Sequence, residues 1–165
     1  MDALEQREHI VELARRWLGT PYRHQGSIKG VGCDCLGLVR GIWRELYGCE
    51  PELVGPYSMD WAEAGGEERL LAAARRYFRV AEDLRPGSLI VFRWRVDMPA
   101  KHVGVYVGDD RFIHAYERAA VIASPLVPQW RKRVAGIFDF PECLTEVSAL
   151  TATYSNWLRV RCSPT

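Results

Sequence analysis

The chain has no surplus of basic charge, no long apolar run and no even number of cysteines, and each lack removes a class of protein. Its 22 Lys and Arg stand against 21 Asp and Glu, a net charge of +1. A nucleic-acid binder would carry a basic excess, so none is expected as a partner. No stretch approaches the ~20 consecutive apolar residues that cross a bilayer, so no membrane insertion is expected. The N-terminal stretch, Met1 to Trp17, carries Asp2, Glu5, Arg7, Glu8, Glu12, Arg15 and Arg16. No apolar signal-peptide core can be cut from it, and synthesis in the cytoplasm without a signal peptide is the expectation. Five cysteines cannot all pair, and reduced thiols are the simplest assumption. Cys33 and Cys35 are too close for usual zinc spacing and no Cys-x-x-Cys accompanies them, so neither metal nor cofactor is expected. Internal repeats and low-complexity runs are lacking too.

What remains is an ordinary soluble composition, 48% apolar and 26% charged in 165 residues, enough for one domain with a real core. Its most informative stretch is Gly30 to Tyr47. Two glycines open it and Cys33-Asp34-Cys35 follows. Leu38, Val39, Ile42, Trp43 and Leu46 then recur as the apolar face of a helix, with Gly48 just past its end. The reading is a loop that delivers Cys35 to the first turn of a buried helix, where free N–H groups and the helix dipole favour a thiolate.

Around that stretch the pattern is helical first and extended afterwards. Ile10, Leu13, Ala14, Trp17 and Leu18 predict a helix over 4–18, closed by Gly19 and Pro21. Tyr22, His24 and Gln25 fall in a loop. Residues 49–59, with Pro51, Gly55 and Pro56, read as irregular, and 67–78 as a further helix. Leu89–Arg93 is a short apolar strand. Residues 102–107 alternate valines with other residues, a half-buried strand with valines on one face. Gly108-Asp109-Asp110 is the expected turn and 111–116 the return strand, with further strands at 120–123 and 134–138. The class is α+β, helices against an antiparallel sheet of hairpins.

A thiol nucleophile needs a base, and the base needs a group that orients it. His9 and His24 read as surface residues. His102 and His114 lie on the two arms of one predicted hairpin. A three-residue turn puts Gly104 opposite His114 and leaves the two histidines as diagonal neighbours on one face, whereas an even turn puts them on opposite faces. Taken singly, each of Cys35, His102 and His114 reads as well as an ordinary packing residue; a helix terminus and a hairpin that converge make the set a candidate site.

Gly32-Cys33-Asp34-Cys35-Leu36-Gly37-Leu38-Val39, Lys101-His102-Val103-Gly104-Val105-Tyr106-Val107-Gly108, Phe112-Ile113-His114-Ala115 and the upstream Trp17-Leu18-Gly19-Thr20-Pro21-Tyr22 together resemble the NlpC-type family of cell-wall cysteine peptidases. The likeness spans roughly residues 5 to 140. It implies a papain-like fold for 1–140, Cys35 as nucleophile, His102 as general base and His114 as the residue that orients His102. Tyr22 and Asp34 are implied on the substrate side of the thiol; Asp34 reads equally as the helix N-cap. The bond implied is the amide between D-γ-glutamate and a diamino acid in the peptidoglycan stem peptide. Leu36 stands where the family usually has serine, and Cys-Leu-Gly-Leu resembles the subgroup of phage tails and phage-like gene-transfer particles. That subgroup implies a virion location at the tail tip or baseplate, tail hub or baseplate proteins as partners, and residues 141–165 as a docking extension. A cytosolic amidase acting on recycled wall peptides, and a structural tail component with a vestigial site, are the competing readings.

Overall fold

The computed structural model describes residues 1–52, 55–58 and 67–142. In chain order these form α1 (Ala3–Arg16), β1 (Ser27–Ile28), β2 (Gly32–Cys33), α2 (Cys35–Tyr47), α3 (Arg69–Tyr77), β3 (Arg79–Val80), β4 (Leu89–Phe92), β5 (His102–Gly108), β6 (Arg111–Ala115), β7 (Val121–Pro125), α4 (Pro128–Arg131) and β8 (Val134–Asp139). The main sheet runs β3-β8-β4-β5-β6-β7 with antiparallel pairing throughout, and β1 with β2 makes a separate hairpin. This is the α+β layout expected.

α1 starts where Asp2 caps it. Its Oδ1 accepts the N–H groups of Leu4 at 2.8 Å and Glu5 at 2.9 Å, and the Glu5 carboxylate accepts the Asp2 N–H at 2.8 Å, a reciprocal box that satisfies orphan donors. The helix stops at Arg16, two residues short of the expected end, because the chain turns into Gly19 at φ +82°. Its inner face buries Ile10, Leu13 and Ala14, and Trp17 follows it into the core. α2 lies close beneath. A Cβ on Gly41 would come within 2.0 Å of the Trp17 ring, so only glycine lets the two helices approach this far. Asp139 fastens α1 to the end of β8, accepting from both Arg7 guanidinium nitrogens (3.0 and 2.6 Å) and from the Ser88 hydroxyl (3.0 Å).

The sheet is covered on both sides. Leu89, Val91, Val103, Val105, Ile113 and Val121 face the helices. Ile90, Phe92, Phe112 and Leu126 form a second apolar cluster on the other face, with Trp130 and Val134 packed against it. The expectation of a half-buried β5 is corrected here: its valines do share one face, but Leu126 and Trp130, around the unforeseen α4, cover the other.

The hairpin also differs in detail. Its turn consists of Asp109 and Asp110 alone, both at φ +50°, with Gly108 paired to Arg111. This is the two-residue type that suits a twisted hairpin, not the three-residue turn expected. A bulge between Tyr106 and Gly108 takes up one residue, so that Tyr106 faces Phe112 and Val105 faces Ile113. Carried one step further, that register sets Gly104 opposite His114. The face shared by the histidines therefore survives a miscounted turn.

The body continues past residue 140. The Pro141 carbonyl accepts from Gln6 Nε2 at 2.8 Å and Glu142 pairs with Arg79 at 2.8 Å. The docking extension read at 141–165 lies, from residue 143 on, outside the described residues.

Candidate active site

Cys35 is the first residue of α2 and Asp34 its N-cap, with extended backbone and Oδ1 accepting the Gly37 N–H at 2.8 Å. α2 presses its N-terminus against the start of β5. Cys35 Sγ lies 4.0 Å from the carbonyl oxygen of Lys101, and backbone groups of Val103, Leu36 and Cys35 itself are within hydrogen-bonding reach of the sulfur. Those contacts favour the thiolate, as expected for a helix start, but they lose to two opposing effects. Burial, with the neighbouring Asp34 carboxylate, pushes the thiol up to about 12, because a sulfur anion removed from water has little solvation left. Burial thus opposes the thiolate that the helix start favours.

His102 opens β5, and His114 is the fourth residue of β6. They meet edge to face, His102 Nε2 lying 2.8 Å from His114 Nδ1. Beyond them His114 Nε2 is 2.9 Å from Ser124 Oγ on β7. Aromatic rings enclose the pair. Trp94 stacks on His102 at 5.7 Å between centroids and 20° between planes, and Phe92 and Trp130 lie at 6.0 and 5.9 Å. The Arg133 guanidinium in turn sits over Trp94 at 4.9 Å. His102 is 8% exposed and His114 is sealed at 0%. Burial therefore drops His102 to about 3, helped by the charges of His114 and Lys101, and His114 to about 4. Burial thus disfavours charge on the thiol and on both imidazoles.

A second cluster surrounds Asp34. Its Oδ2 accepts the Gln25 N–H at 2.7 Å and the Tyr57 hydroxyl at 2.6 Å, and His24 Nδ1 stands 3.6 Å away. The Tyr57 carbonyl accepts from Gln25 Nε2 at 2.6 Å and lies 2.9 Å from His24 Nε2. His24, read as a surface residue, is thus half-buried and engaged. Tyr22 bridges to Cys33 beside this cluster. Burial raises its phenol to about 12, and the Asp34 carboxylate adds to the rise. Of the two readings of Asp34, the N-cap is present in the geometry.

Gly37 holds these parts together. A Cβ there would fall 1.7 Å from the Gly26 carbonyl oxygen, and the Ser27 hydroxyl donates to the Gly37 carbonyl at 2.7 Å. Leu36 lines a groove with Val39, Leu70 and Val103. Cys33 and Cys35 are free, whereas Cys49 is disulfide-bonded, so the assumption of reduced thiols fails at Cys49.

Four residues escaped the sequence reading: Tyr57, Trp94, Ser124 and Trp130. Tyr57 sits in a Pro/Gly segment with no periodicity, Trp94 in the β4–β5 connection and Trp130 in the four-residue α4, too short to show a period. Ser124 had a signal, since alternation from Ile122, which pairs with His114, puts it on the histidine face.

A sequence profile described as the NlpC/P60 family matches residues 19–138. The chain belongs to the NlpC/P60 family. In Escherichia coli strain K12, the murein DD-endopeptidase MepS/murein LD-carboxypeptidase is 32% identical over 131 residues, which cover 79% of this chain and 61% of that protein. The gamma-DL-glutamyl hydrolase of Bacillus subtilis strain 168 is 29% identical over 133 residues, 79% of this chain and 29% of that protein. The chain thus spans about three fifths or less of these two relatives. A crystal structure of an NLP/P60 family protein from Staphylococcus aureus aligns with 87% of this chain and 43% of its own, at TM-score 0.57 and 20% identity. That likeness is one of fold: the papain-like arrangement of helices on an antiparallel sheet.

Proposed function

We propose that this NlpC/P60 chain is a cysteine endopeptidase of peptidoglycan, carried at the tail tip or baseplate of a phage or phage-like particle. The observation that carries the reading is the convergence of Cys35, at the start of a buried helix, with the strand that opens on His102, whose ring is held 2.8 Å from His114. The endopeptidase named in Escherichia coli supports peptidoglycan as substrate. Cys35-Leu36-Gly37-Leu38 supports the particle, with hub or baseplate proteins as partners.

Cys35 is the nucleophile and His102 the base. Because burial disfavours charge on both, the thiol proton passes to His102 as the sulfur attacks the amide carbonyl, with little charge separated beforehand. The imidazolium that forms lies against the face of Trp94, an arrangement that attracts cations. The oxyanion is met by backbone N–H groups at the start of α2, that of Cys35 among them. The departing amine takes its proton from His102, and water then hydrolyses the thioester. Tyr22 and Asp34 lie on the substrate side; Asp34, besides capping α2, offers negative charge to an amine of the stem peptide. The gamma-DL-glutamyl hydrolase named in Bacillus subtilis supports cleavage of a γ-glutamyl amide, whereas the name of the Escherichia coli relative points to another amide.

Digestion of purified peptidoglycan by the wild type and by Cys35→Ala, with released fragments weighed by mass spectrometry, tests the reading. New amino termini on diamino acids, from the wild type alone, are expected. No release by the wild type, or equal release by the variant, overturns it; release at a different amide changes the bond and leaves the enzyme. Purified particles containing the chain in complex with a tail hub protein would support the location, and its absence from them would refute it.

A further inference from the structure

The hydrogen-bonded run does not end at the second histidine. His114 and Ser124 are diagonal neighbours across β6 and β7, and His114 Nε2 reaches Ser124 Oγ at 2.9 Å. A neutral imidazole has one N–H and one lone pair, and a nitrogen–nitrogen contact of 2.8 Å holds a single hydrogen. Two directions are open. In one, His102 Nε2–H donates to His114 Nδ1, His114 carries its own hydrogen on Nε2, and Ser124 Oγ accepts it. In the other every donor is reversed, and His102 Nδ1 carries the hydrogen.

Only the first direction leaves His102 Nδ1 with a lone pair, and only the first survives when His102 becomes charged. An imidazolium donates from both nitrogens, so His114 must then offer a lone pair at Nδ1. Its hydrogen must sit on Nε2, inside a ring that is 0% exposed. The group waiting there is the Ser124 hydroxyl.

We propose that Ser124 is a positioning residue for the reaction: by accepting from His114 Nε2–H it fixes the tautomer of His114 and, through it, that of His102, so that His102 Nδ1 is open to the Cys35 proton. No proton travels along the run. The Cys35 proton goes to His102 Nδ1 and from there to the departing amine, while His114 and Ser124 keep theirs. The half-buried place of Ser124 lets its own O–H turn to water while its oxygen accepts. The proposal rests on the endopeptidase reading for its kinetic consequence, not for its structural one.

The structural arm is long-range proton–nitrogen NMR on protein labelled at histidine nitrogen. The wild type should show His114 and His102 each as the single Nε2–H tautomer at pH 7. Ser124→Ala should mix or reverse them, and Ser124→Thr, which keeps the hydroxyl, should restore the wild-type pattern. A wild-type His114 carrying its hydrogen on Nδ1 overturns the proposal whatever the variants do, as does a Ser124→Ala spectrum identical to wild type. In the kinetic arm, kcat on peptidoglycan fragments should fall about ten- to a hundred-fold in Ser124→Ala with KM nearly unchanged, the loss expected when a buried donor is left unpaired, and recover in Ser124→Thr. An unchanged kcat in Ser124→Ala also overturns it. If the wild type cleaves no peptidoglycan the endopeptidase reading fails, while the tautomers still decide the role of Ser124.

Discussion

Gly37 sits two residues after the proposed nucleophile, inside a helix, where alanine is intrinsically better than glycine by about 1 kcal/mol. On propensity alone Gly37→Ala should stabilise the protein. The fold demands the reverse. The added Cβ would stand 1.7 Å from the Gly26 carbonyl oxygen and 2.8 Å from its carbon, against 3.4 Å or more in ordinary contact. The obstacle is backbone, so the 23–34 loop must retreat. Retreat breaks the Ser27 hydroxyl bond to the Gly37 carbonyl (2.7 Å) and the Asp34 N–H bond to the Gly26 carbonyl (3.3 Å), each contributing about 1 kcal/mol. Overpacking adds about 1–3 kcal/mol. After the propensity gain, a net loss of roughly 2–4 kcal/mol follows, a fall in melting temperature of about 5–15 °C for a chain of this size. Urea unfolding and calorimetry read both quantities, and the Asp34 cap should loosen with the loop, lowering activity of the folded fraction. An alanine variant as stable as the wild type would show that the contact between loop and helix is not what requires glycine here.

The remaining expectations concern charge and packing. His102 and His114 titrate near 3 and 4 in the fold, below the ~6.5 of a free histidine. The unfolded chain then binds more protons than the native one below pH 6.5, so their contribution is fully present above that pH and is lost as pH falls toward 4, at up to about 1.4 kcal/mol per pH unit for each ring. Denaturant unfolding at pH 7.5, 6.0 and 5.0 checks it; equal stability at pH 7.5 and 5.0 would be incompatible with neutral buried rings. Tyr57→Phe removes a 2.6 Å donor from the buried Asp34 carboxylate and should reduce stability by about 2 kcal/mol, as for other hydrogen bonds to charged groups. A change under about 0.5 kcal/mol in urea unfolding would mean that solvent replaces the phenol. Gly41→Ala drives a methyl to within 2.0 Å of the Trp17 ring and should destabilise by about 1–3 kcal/mol, with a shift in Trp17 fluorescence; full stability would show that α1 and α2 slide freely past one another.

The parts of this protein that depend on local chemistry are legible in its amino-acid order. Apolar spacing along 38–46 makes α2 amphipathic, Gly48 ends it, and Asp34 before Cys35 caps it, so the first helical residue is a cysteine whatever the rest of the chain does. The alternation of 102–107 against 111–116 makes a hairpin and puts two histidines on one face. Even the miscounted turn did not disturb this, because burial of Val103 and Val105 against the helices selects the register and the bulge at Val107 absorbs the error. The protonation states were beyond reach. A cysteine at a helix start suggests a thiolate, and only the tertiary enclosure by strand β5 on one side and Asp34 on the other opposes that. The same holds for Tyr57, Trp94 and Trp130, which lie 23, 8 and 28 residues from Asp34, His102 and His102 in the chain, outside any helix or strand period shared with them. Helix and strand periods are set by neighbours a few residues apart, so sequence carries them. Solvent exclusion is set by whichever surfaces fold over a group, and the energy of a charge or a hydrogen bond depends on it so steeply that only the assembled structure decides.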